Sequence, residues 1–173
     1  MATLGVIAVE ASPANAAGLI SKCNTSSASN VWVVDLPLKA DAKFIMTPCV
    51  YRSGNQVWAK VHWYVGCILN EALSCFGSSH RFDSVKVIAV LEKRTNGTTH
   101  DYEVTHVSCD ITSEANFTVL YDPLYRDGDC YTPISSSYTS TYDWSADGAV
   151  LYDVDNDGYG AFQHDLVGSP LIY

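Results

Sequence analysis

The chain carries little positive charge: ten Lys and Arg stand against nineteen Asp and Glu, a net charge of −9 over 173 residues. Phosphate backbones are bound by clustered cations, and Lys93-Arg94 is the densest group here, so direct nucleic-acid binding is not expected. Long apolar runs are missing too. The best stretch, residues 61–69, is interrupted by His62 and flanked by Lys60 and Asn70, well short of the roughly 18 to 20 residues of a membrane-spanning helix. The eleven Gly and six Pro show no period, which excludes a collagen-like chain, and no longer repeat marks a solenoid. What is present is an apolar fraction of 47%, enough for a core and too high for intrinsic disorder. A single β-rich domain spanning residues 1–173 is the expectation.

Recognisable catalytic signatures are also missing. The sequence has no G-x-S-x-G, H-E-x-x-H, G-x-x-x-x-G-K-[ST] or G-x-G-x-x-G, which removes common hydrolase, zincin and nucleotide-binding patterns. No Cys-x-x-Cys occurs, and His106-x-x-Cys109 is half a metal site without its other half. Asp127 and Asp129 read as an acidic loop beside Cys130, which raises a thiol pKa instead of activating it. The balance leans against an enzyme.

Six cysteines, Cys23, Cys49, Cys67, Cys75, Cys109 and Cys130, fit three disulfides in an oxidising compartment, with fifteen connectivities open. Buried free thiols are the competing reading. Residues 1–10 lack a basic n-region and include Glu10, so no cleavable leader is read there. Three sequons, at Asn24, Asn96 and Asn116, are glycan acceptors in a secretory pathway. An extracellular or virion-surface location is the expectation.

Charge is divided along the chain. Residues 1–100 hold nine cations and six acids, a net of +3; residues 101–173 hold thirteen acids and Arg126, a net of −12. A solvated surface is the plain reading. The sharper ones are a cation site or a head-to-tail contact between copies. Nine of eleven tyrosines lie in the acidic half. Tyr121, Tyr125, Tyr131, Tyr138 and Tyr142, with Trp144, are the candidate contact residues, because rigid amphipathic rings give large contact area at small entropy cost. Rings beside carboxylates also suit glycans.

The sharpest local pattern is Asp153-Val154-Asp155-Asn156-Asp157-Gly158. Alternate carboxylates before a glycine aim hard oxygens at one cation, with the Tyr159 carbonyl and Asp165 as further ligands, as Ca²⁺ prefers. His164 stands where an EF-hand needs a bidentate Glu, so the stretch resembles the isolated D-x-D-x-D-G loops of extracellular calcium-binding modules. An acidic hairpin turn is the alternative.

Periodicity predicts strands over residues 5–10, 31–36, 43–51, 56–65, 84–93, 101–109 and 116–121, with apolar runs at 149–154, 161–167 and 171–173. Val57, Ala59, Val61, Trp63 and Val65 fall on one face of the clearest strand. Pro48 implies an edge or bulge. Hairpin turns are expected at 53–55 and at Asn96-Gly97. Short helices are expected over 14–22, behind Ser12-Pro13, and over 67–76. Eight to ten strands with one or two helices predict an all-β fold, a β-sandwich, jelly roll or irregular barrel. The first functional expectation is a non-enzymatic, self-assembling subunit of coat or filament type. The second is an extracellular module binding glycan or Ca²⁺, and the third a disulfide-containing secreted hydrolase.

Overall fold

A computed structural model describes residues 18–36, 39–68, 80–117 and 125–173. Nine strands run through them: β1 (Ile20–Cys23), β2 (Val31–Val34), β3 (Ala42–Ser53), β4 (Gln56–Cys67), β5 (Phe82–Thr95), β6 (Tyr102–Asp110), β7 (Tyr125–Tyr131), β8 (Tyr142–Val154) and β9 (Phe162–Asp165). The helical elements among the described residues are a 3₁₀ turn at Ala28–Asn30 and the single-turn α1 (Thr112–Ala115). All strand pairing is antiparallel. The first sheet has the order β1-β3-β4-β7, with β2 also on β3, and the second has β6-β5-β8-β9. The fold is all-β, two sheets packed face to face through β3, β4, β5 and β8.

Alternation builds this packing. On β4, Val57, Ala59, Val61 and Val65 are fully buried while Trp58, Lys60, His62 and Tyr64 face outward, and on β5 Val85, Val87, Ala89 and Leu91 do the same. Their inner faces join Phe44, Trp63 and Val150 in one apolar cluster, and a second gathers Val57, Leu91, Trp144 and Ile172. Two glycines permit close approach. A Cβ on Gly148 would lie 2.3 Å from the Ile88 carbonyl oxygen, and one on Gly128 would lie 2.5 Å from the Trp63 ring.

Pro48 lies inside β3, opposite Val61 of β4, so the predicted edge strand is an interior one. Its other flank explains the tolerance. β2 covers residues 42–45 of β3 and β1 covers residues 49–52, and Pro48 falls in the gap between them. Its carbonyl accepts from the Asn24 N–H, so the side of the ring that lacks a donor faces the gap, where no ladder bond is lost.

Several expectations change. Residues 20–22, predicted as the end of a helix, form β1, because Cys23 pairs with Cys49 and ties the segment to β3. Asp127 and Asp129, taken as an acidic loop beside Cys130, lie on β7, paired with β4 from Lys60↔Tyr131 to Gly66↔Tyr125. Asn116 and Phe117 end α1 instead of starting a strand: the Asn116 Oδ1 accepts the N–H groups of Arg81 and Phe82 and its Nδ2 donates to the Phe82 carbonyl. The predicted strand at 5–10, and all but the first residues of the predicted helix at 67–76, lie outside the described residues.

Two disulfides are resolved, Cys23–Cys49 within the first sheet and Cys109–Cys130 between β6 and β7, across the two sheets. Cys67 is disulfide-bonded as well, and Cys75 lies outside the described residues. Among these residues no thiol is free. No helix among the described residues is long and apolar enough to cross a membrane.

Candidate functional site

The outward residues of β3, β4 and β7 share one face, on which rings stack in pairs. Tyr51 and Trp58 lie 5.6 Å apart and nearly parallel, and Tyr64 and Tyr125 lie 4.8 Å apart. Between the pairs stands Asp129. Its carboxylate accepts from His62 Nδ1 at 2.8 Å and from the Tyr131 hydroxyl at 2.8 Å, and it contacts Lys60 Nζ at 3.2 Å. Burial pushes the Asp129 carboxyl up, but the hydrogen bonds from Tyr131, His62 and Lys60 outweigh that and hold it below its ordinary value. Burial likewise opposes the Lys60 ammonium, and its bonds to Tyr51 and Asp129 raise it above the usual lysine range. Sequence reasoning singled out Tyr125 and Tyr131 but missed His62, Lys60 and the role of Asp129, because their proximity depends on β7 being a strand.

The other candidate contact residues are placed differently. Trp144 is fully buried beside Leu91 and Ile172, so it is a core residue and not a contact residue. Tyr138 is claimed by Arg52, whose guanidinium sits 3.7 Å from the ring centre and donates to the hydroxyl. Tyr142 lies under the Lys93 ammonium. Tyr121 lies outside the described residues.

Part of the charge polarity of the sequence is met within the molecule. β4 and β5 of the cationic half pair with β7 and β8 of the acidic half. Lys39 meets Asp155 at 2.6 Å, Lys60 meets Asp129 and Arg94 meets Asp101 at 2.7 Å. Lys22 lies over Tyr173. The two halves are therefore interleaved strands of the same sheets.

The acidic loop after β8 has a similar fate. Asp155 directs one oxygen to the Lys39 ammonium and the other to Asn156 Nδ2, which holds its carboxyl below the ordinary value. Asp157 accepts the Tyr159 N–H as a turn does. Asp165 lies on β9 opposite Ala149, four positions along β8 from Asp153, and accepts from Gln163. The group of three His, Cys, Asp or Glu ligand atoms that meet within 4.8 Å among the described residues belongs to His80, Asp83 and Asp155; it shares only Asp155 with the predicted ligands, and there Asp155 is paired with Lys39.

The sequons also separate. The Asn24 amide donates to the carbonyls of Val167 and Gly168, and the Asn116 amide to Phe82; both residues are half-buried. Asn96 stands exposed at the β5–β6 turn, its amide donating to the Ser140 carbonyl.

A cleft of about 540 Å³ opens between β2 and β9, walled by Val33, Val154, Tyr152, Tyr159 and Phe162, with Asp35 and Asp157 bringing negative charge. Tyr152 continues inward from Phe162 to Phe44 and Phe82, and burial raises its hydroxyl pKa.

Compared with known proteins, the chain matches no family model, no curated protein and no solved structure.

Proposed function

We propose that this chain is a non-enzymatic, self-assembling subunit that docks onto other copies through the outer face of β3, β4 and β7. The carrying observation is the pair of ring stacks, Tyr51/Trp58 and Tyr64/Tyr125, locked on one sheet face on either side of Asp129. Rings already immobilised by stacking lose little entropy on docking, which is what gives aromatic clusters their weight in interfaces. A broad, ring-rich sheet face suits a protein surface better than a small substrate. The His62–Asp129 pair lies in the open, its remaining partners are Lys60 and Tyr131, and the described cysteines are oxidised; this favours docking over bond-breaking. The disulfides suit an oxidising setting, outside the cell or on a virion surface.

The test is sedimentation equilibrium of the full chain against Tyr64→Ser/Tyr125→Ser. The expected result is association of the parent chain that the variant loses while its melting temperature holds. A parent chain that stays monomeric at high concentration in both low and moderate salt overturns the reading. A glycan ligand on the same face is the second reading, favoured by the donors and acceptor grouped at Asp129. It requires glycan-array binding that survives EDTA and fails in Asp129→Ala.

A further inference from the structure

The large apolar side chains that the fold leaves exposed are not scattered evenly. Val33 is 50% exposed, Tyr159 74% and Phe162 43%, and all three line the cleft between β2 and β9. Its volume falls within the roughly 300 to 1,000 Å³ range of small-molecule sites. The rings stand at angles to one another: Phe162 is stacked on Tyr152 at 5.8 Å, and Tyr159 is tilted 54° to Phe162 at 6.5 Å. Such a corner presents more than one π face to the same volume.

The electrostatics narrow the ligand. Two acids, Asp35 and Asp157, belong to the cleft, and no lysine or arginine lines it. Neither acid has an ion-pair partner among the described residues, in contrast with Asp155 two positions away, which Lys39 neutralises. An anion is repelled by this wall. A neutral apolar ligand leaves its charge unanswered. A small hard cation prefers an all-oxygen shell and keeps its water against aromatic carbon. One class meets both features, a cation with an apolar skin, which π faces attract and carboxylates balance.

We propose that the β2–β9 cleft binds a quaternary or alkylated ammonium group of a small organic cation, held against Tyr152, Tyr159 and Phe162 and balanced by Asp35 and Asp157. The site lies apart from the β3–β4–β7 face, so the proposal stands or falls independently of the assembly reading.

The probe is choline, titrated into the ¹⁵N-labelled full chain and followed by amide shifts, with 3,3-dimethylbutan-1-ol as a neutral probe of the same shape. Saturable shifts at Val33, Asn156, Tyr159 and Phe162 are expected, with the alcohol binding at least about 5-fold more weakly, the order of a cation–π contribution. Tyr159→Ala and Phe162→Ala should each weaken choline by about 3- to 10-fold. Tyr159 is the more exposed of the two, so its variant keeps the test informative should Phe162→Ala perturb the fold. Asp157→Asn should weaken choline and leave the alcohol unchanged. Absence of saturable shifts overturns the proposal. Equal affinity for choline and the alcohol overturns it as well, and reduces the cleft to an apolar hollow.

Discussion

The two sides of the sandwich are closed by different chemistry. Where β6 meets β7, the sheets are joined by the Cys109–Cys130 bond, with Cys130 fully buried in the core. Where the β1–β2 side meets β9, closure is polar. Asn30, 2% exposed, exchanges both of its amide bonds with the Val167 backbone, at 3.0 and 2.7 Å. Asn24 adds bonds to Val167 and Gly168, and His164 donates to the Ser29 carbonyl while stacking on Trp32 at 3.9 Å. The buried Trp32 indole N–H finds no acceptor. A covalent seam fixes one side, and a hydrogen-bonded seam borders the cleft on the other.

Breaking the covalent seam should have the largest effect. A disulfide spanning 21 residues of sequence restricts the unfolded chain by about 3 kcal/mol, so Cys109→Ala/Cys130→Ala should lower the denaturant midpoint accordingly. A midpoint change below that of Asn30→Ala would reverse the ranking of the two seams. Next comes Gly128→Ala on β7. The Trp63 ring occupies the space of the new methyl group, and overpacking should cost about 2 kcal/mol in urea unfolding. Asn30→Ala removes both bonds of the polar seam and should cost about 1 to 2 kcal/mol. Hydrogen exchange in that variant should accelerate at β9 and leave β6 unchanged.

The smallest effect concerns Glu92, on β5 beside β6. Burial, then repulsion from Asp147 and Asp101, raises its pKa to about 7 from the ordinary 4.5. The folded state therefore holds a proton that the unfolded state has lost across that window. Stability is greatest below the lower value, falls as pH rises through the upper one, and stays reduced above it. Discounted for partial exposure, the loss is about 1 kcal/mol. Glu92→Gln should flatten the pH dependence of the melting temperature between these values, and an unchanged profile would remove Glu92 as its source.

The contrast between the seams also marks what the sequence made legible. β4 and β5 announce themselves because each supplies its own alternating apolar face, and the turns at 53–55 and Asn96-Gly97 carry local chemistry. β7 does not. Its inward positions are Gly128 and Cys130 and its outward ones are Asp127 and Asp129, because the Trp63 ring fills the space that a side chain at 128 would otherwise occupy. The first half of β8 hides in the same way: Trp144, Ala146 and Gly148 point inward between Asp143, Ser145 and Asp147, an alternation that small residues make faint. Once β7 is missed, no local pattern brings Asp129 to His62, 67 residues away. The same blind spot let the tyrosine-rich texture include Trp144, whose burial depends on the C-terminal bridge to Ile172.

The gap at Pro48 bears on how the molecule avoids unwanted growth. An uninterrupted twelve-residue strand edge would be a template for another chain, the starting point of open-ended sheet extension. Here that edge is divided between two four-residue strands with a donor-free proline at their junction. Continuous zippering along this flank is interrupted midway.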